Sequence, residues 1–118
     1  MNIEKINFHD AIIESISLSS DNDFIDKIEI IVKTSNERIS LLFSDCFSVK
    51  CDFNLWISGM DSIRECYYEL SDEYINTLAE LRKKGFMPFE NQFKFFKIVT
   101  NTSNSIIEIV YKDVDISL

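Results

Sequence analysis

Two runs near the end of the chain, Phe93 to Val99 and Ile106 to Tyr111, are apolar on both of their alternating faces, and this limits the possible folds more than any other feature. Phe93 and Phe95 stand opposite Phe96 and Ile98, while Ile107, Ile109 and Tyr111 stand opposite Ile106 and Val110. Successive residues of a strand point to opposite faces, so a strand apolar on both sides belongs in the middle of a covered sheet. The polar stretch Asn101-Thr102-Ser103-Asn104-Ser105 supplies the turn that joins the two runs into a hairpin. What shelters both of its faces must come from the rest of the chain.

One segment reads as a convincing helix, Ser71 to Gly85. Ser71 is placed to accept the free amides of the first turn, with Asp72 and Glu73 at the positive end and Arg82, Lys83 and Lys84 at the carbonyl end. Gly85 permits the left-handed residue that stops it. Ile75, Leu78, Ala79 and Arg82 form one stripe with Leu81 beside it, which predicts an apolar face over that line.

Elsewhere the period is two. Ala11 to Ser19 alternates, with Glu14 interrupting its apolar face; Phe24 to Thr34 places Ile28, Ile30 and Val32 inward; Ile39, Leu41 and Phe43 continue beyond the turn Ser35-Asn36-Glu37. These make an antiparallel meander. A bend at Phe43-Ser44-Asp45-Cys46 precedes a long strand in which Phe47, Val49, Cys51, Phe53, Leu55 and Ile57 point one way and Ser48, Lys50, Asp52, Asn54, Trp56 and Ser58 the other. Ile63 to Leu70 reads as a further strand, and Val114, Ile116 and Leu118 as a final edge segment. With 10 Phe, 2 Gly and 1 Pro, strands dominate and few turns can be of the glycine-demanding types.

A chain of 118 residues makes a single domain, 1–118, with enough core to need neither metal nor disulfide. One helix cannot cover two faces of such a sheet. The expected fold is therefore α+β: a curved, mostly antiparallel sheet of six or seven strands, a partial barrel or sandwich-like, with one main helix at about 71–84.

The net charge is −8, but residues 1–80 hold 16 acidic and 6 basic residues, a balance of −10. Such a field repels phosphate backbones and attracts basic partners, which argues against direct nucleic-acid binding. Met1 to Lys5 leads into no apolar stretch of signal-peptide length, and no apolar run reaches the length of a membrane span. The odd set Cys46, Cys51 and Cys66 has no CxxC pair, so a reduced, cytoplasmic setting is expected, with no membrane partner.

No chemistry-bearing motif accompanies these residues. His9 and Asp10 are neighbours, yet on an extended segment they point apart and do not form a base and its orienter. A zinc site from Cys46, Cys51, Cys66 and His9 has the right atoms at unfamiliar spacings, and Cys51 on the inward face reads as core filling. Asp45 beside Cys46 opposes a reactive thiol there. Carboxylate pairs drawn from Asp45, Asp52, Asp61, Glu65 and Glu69 are inevitable among 20 acids, and no glycine-rich phosphate loop, GxSxG or HExxH stands with them. Neither catalysis nor a cofactor is expected. Trp56 among Asp52, Asn54 and Ser58 is the one anomaly. Either the Phe86 to Phe89 loop or a different strand register covers the indole, or it is exposed and anchors a protein partner that the surrounding acids attract.

Asn7-Phe8-His9-Asp10-Ala11 leading into an Ile-rich strand, Phe43-Ser44-Asp45-Cys46 before a long strand, and the Asn101-Thr102-Ser103 turn of the closing hairpin resemble small acidic bacterial immunity proteins of the polymorphic and contact-dependent growth-inhibition toxin systems. That resemblance implies a non-enzymatic inhibitor of one cognate, basic, nuclease-like toxin domain. The partner-binding residues expected here are Asp45, Asp52, Asn54, Trp56, Asp61 and Glu65, on a monomer or weak homodimer. A second reading is a curled sheet around an apolar, small-ligand cavity lined by Phe47, Phe53, Phe93 and Phe95; a third is a hydrolase using His9.

Overall fold

The computed structural model describes residues 2–20, 26–52, 62–68, 71–85, 93–101 and 104–118. After a 3-10 turn at Ile3–Lys5, the order is β1 (Ile12–Ser19), β2 (Lys27–Lys33), β3 (Arg38–Ser44), β4 (Ser48–Asp52), β5 (Ile63–Tyr67), α1 (Asp72–Lys83), β6 (Lys94–Thr100), β7 (Ile106–Tyr111) and β8 (Asp113–Ser117). The fold is α+β, but its strands form two antiparallel four-stranded sheets rather than one curved sheet of six or seven. The first runs β1-β2-β3-β8 and the second β4-β7-β6-β5, and among the described residues no barrel closes.

The reason for the split lies at the expected bend. Asp45 takes φ +50, a left-handed conformation that a short polar side chain tolerates, and the chain leaves the first sheet for the second there. β7 and β8 make the reverse crossing alongside, at Lys112. Phe47 N–H donates to the Val110 carbonyl at 2.7 Å and Lys112 N–H to the Ser44 carbonyl at 3.3 Å, so the corner is hydrogen-bonded through the crossing. On the far side the start of β1 reaches β5, with Asp10 N–H on the Ile63 carbonyl and Ile63 N–H on the Ala11 carbonyl, both at 2.8 Å.

The late hairpin sits where its composition demands. Its two strands are the central pair of the second sheet, with Phe96↔Ile109 and Ile98↔Ile107 in register. One face, with Phe96, Ile98, Ile107, Ile109 and Tyr111, meets Ile28, Ile30, Val32, Ile39, Leu41 and Phe43 of the first sheet. Phe43 lies 5.5 Å from Phe96 and 4.8 Å from Tyr111, ring to ring. The other face, with Phe95 and Val110, lies under Tyr74 and Leu78 of α1. Each such side chain contributes about 1.5–3 kcal/mol on burial, and three layers follow from having two apolar faces to cover.

α1 is capped as its sequence predicts: the Ser71 side chain accepts the Tyr74 N–H, Asp72 and Glu73 occupy the first turn, Arg82 and Lys83 the last, and Gly85 has φ +90. Its buried face is rotated from the predicted one, keeping Leu78 and, packed beside it, Leu81. Tyr74, Thr77 and Leu78 are buried, whereas Ile75, Ala79 and Arg82 face water. The interruption of β1 at Glu14 is a bulge: Ile13 opposes Val32, Ser15 opposes Ile31, and Glu14 is the extra residue. Its carboxylate takes Arg38 in two hydrogen bonds, at 2.8 and 3.2 Å. Cys51, expected in the core, is exposed, because β4 is an edge strand of the second sheet.

Candidate functional site

Charged side chains are distributed around the second sheet in three places. The first is the corner at Asp45. Asp45 is exposed; Cys46 N–H donates to the Asp26 carbonyl at 3.0 Å; Asp113 is the ladder partner of Ser44. One oxygen of the Asp26 carboxylate is buried with no hydrogen-bond partner among the described residues. The Cys46 thiol feels this setting. Burial first and then the Asp26 charge push it up to about 11, with a smaller push from Asp45 and an opposing hydrogen bond from the Ile28 backbone.

The second place is the floor beneath α1. Tyr67, Lys97, Glu108 and Lys50 form one row across all four strands of the sheet. The polar stripe of α1, Glu73, Thr77 and Glu80, is spaced at four and three residues and lies along that row. Glu73 meets Lys97 at 2.7 Å, Thr77 Oγ1 donates to Glu108 Oε2 at 3.1 Å, and Glu80 meets Lys50 at 3.7 Å. Lys97 also lies 3.4 Å from Glu108 and 5.8 Å from the centre of the Tyr67 ring. Charge therefore alternates across the sheet and is matched from above, which allows Glu108 to be buried. A groove of about 400 Å³ opens beside it, lined by Ser48, Lys50, Cys51, Thr77, Glu80 and Glu108 among others.

The third place is the outer end of β5. His9 Nε2 lies 3.5 Å from Asp10 Oδ2, and His9 Nδ1 lies 3.3 Å from the Arg64 carbonyl. The two side chains were expected to point apart; they meet because Asp10 has φ +63 and is not extended. Both are largely in water, at 66 % and 72 % exposure. Cys66 lines the same shallow groove of about 210 Å³, but burial pushes its thiol up to about 12, which leaves almost no thiolate at neutral pH. Among the described residues no three His, Cys, Asp or Glu side chains are grouped so as to hold a metal ion.

Of the predicted partner-binding residues, Asp45, Asp52 and Glu65 are exposed, and Asn54, Trp56 and Asp61 lie outside the described residues. The three do not form one cluster. Asp52 and Glu65 stand on opposite edges of the second sheet, in line through Ile106 and Val99, roughly 14 Å apart at ordinary strand spacing. Asp45 lies at the other end of β4. Glu65 is already engaged, since it accepts a hydrogen bond from the Tyr67 hydroxyl and thereby lifts that phenol above its ordinary range. Phe47 and Phe93 meet at 5.0 Å, whereas Phe95 is stacked on Tyr74 at 5.1 Å under the helix, and Phe53 lies outside the described residues.

Asp26, Lys97 and Glu108 belong to no motif or predicted site in the sequence. The last two were legible in principle: a lysine and a glutamate each interrupt a strand that is otherwise apolar on both faces, a combination that calls for a partner. No family model matches the chain, and no curated protein matches it. Among the described residues no helix is long and apolar enough to cross a membrane.

Proposed function

We propose that this chain is a non-enzymatic, immunity-type protein of the bacterial cytoplasm that binds a cognate basic, nuclease-like toxin domain and covers its active site. The observation that carries this reading is the acidic corner, where exposed Asp45 follows Ser44, the ladder partner of Asp113, and precedes Cys46, whose N–H binds the Asp26 carbonyl and whose thiol is raised by burial first and then by the charges of Asp26 and Asp45. Carboxylates on this hydrogen-bonded bend mimic the spaced negative charge of a nucleic acid, draw a basic cleft at long range and set its orientation. Asp52 extends that charge to the end of β4, and Trp56, four residues further along the chain, supplies the aromatic anchor. At the groove Lys97 and Lys50 are matched by Glu73, Glu108 and Glu80, while Lys84 there and Lys112 at the corner offset part of the field.

The test is co-purification with the protein encoded beside it, followed by affinity measurements across a salt series. Association is expected to slow as salt rises, and Asp45→Lys and Asp52→Lys to weaken binding about tenfold each, with a larger loss for Trp56→Ala. Affinity indifferent to salt and to all three substitutions would end this reading.

A further inference from the structure

The stripe of α1 turned away from the sheet is complementary to itself. Asp72, Ile75, Ala79 and Lys83 follow at intervals of three, four and four residues, which sets them on one line along the helix, and all four are exposed. Ile75 is a large apolar side chain left 63 % in water, while its neighbours Tyr74 and Leu78, nearer the sheet, carry the packing. The line is acidic at its start and basic at its end, with a small residue beyond its centre.

We propose that this face docks on the same face of a second copy of the chain, the two helices antiparallel about a two-fold axis. Ile75 of each copy then lies against Ala79 of the other, a large side chain over a small one, so the helices approach closely. Asp72 of each lies against Lys83 of the other, and the two macrodipoles oppose. A parallel pair would instead set Asp72 on Asp72 and Lys83 on Lys83. The contact is isologous and closes at two copies. A helix of 12 residues is roughly 18 Å long and covers far less than the roughly 800 Å² per partner of a standard interface, so the dimer is weak, with Kd on the order of 0.1 mM. The inference does not depend on the proposed toxin.

Sedimentation velocity from about 10 μM to about 1 mM tests it, on a range set by that affinity. The protein is expected to shift from monomer to dimer, and Ile75→Lys to weaken the dimer at least about tenfold. Asp72→Lys and Lys83→Asp should each lose self-association to a similar degree. Mixed in equal amounts, those two variants should form a heterodimer about tenfold or more tighter than either homodimer, because both charge pairs are then matched. An unfolded variant cannot mimic that gain. A monomer throughout, a dimer indifferent to Ile75→Lys, or no gain on mixing would each overturn the proposal.

Discussion

Lys97 lies between Phe96 and Ile98, both fully buried, and its own side chain is only 12 % exposed. Burial by itself would lower the ammonium, but the hydrogen bond and charge of Glu73 and the charge of Glu108 outweigh it and hold Lys97 above its ordinary 10.5. Since the folded value exceeds the unfolded one, this stabilisation is complete below about pH 10.5 and is lost as pH rises through the raised value. Lys97→Met is expected to cost about 3 kcal/mol by urea unfolding with an unchanged slope, because Glu108 is left buried without its counter-charge. It should also remove the alkaline loss that the pairing causes. Adding Glu108→Leu should recover at least half of the deficit, since an apolar pair fits the same covered row. A single variant as stable as the parent would show that the row carries no such coupling.

For the helix, ends and face were legible to different degrees. Its cap, its charged turns and its stop at Gly85 are interactions within a few residues, and each stands where local chemistry places it. The buried face depends on what lies below. A purely apolar floor would have taken the line of Ile75, Leu78 and Ala79. Because Lys97 and Glu108 interrupt that floor, α1 rests on the boundary between Tyr74, Leu78 and Leu81 on one side and Glu73, Thr77 and Glu80 on the other. Leu78→Ala is therefore expected to cost about 2–4 kcal/mol and Ile75→Ala less than about 0.5 kcal/mol, compared by thermal or urea unfolding. Equal losses would mean that the helix sits as its sequence stripe alone suggests.

Across the whole molecule, protection should follow the layers. The amides of β6 and β7 lie between the first sheet and α1, whereas β1 and β8 are edges of the first sheet. Hydrogen exchange in Lys94–Thr100 and Ile106–Tyr111 is expected to need global unfolding, with β1 and β8 opening locally at lower free energy. Equal protection in edge and centre would contradict the layered core. The described residues contain 15 of the 20 acidic residues and all 12 basic ones, so the remaining segments add five acids and no base to the field that a partner meets. The strand alternation, the helix with both its ends, the doubly apolar hairpin and the excess of acid were all determined by the sequence itself, since each depends on residues near one another in the chain. The division into two sheets at Asp45, the rotation of α1, the exposure of Cys51, the meeting of His9 with Asp10 and the gathering of Asp26, Asp45 and Asp113 were decided in the tertiary structure. Each rests on a left-handed residue or a cross-strand register that brings distant segments together, and local periodicity carries no information about which partner arrives.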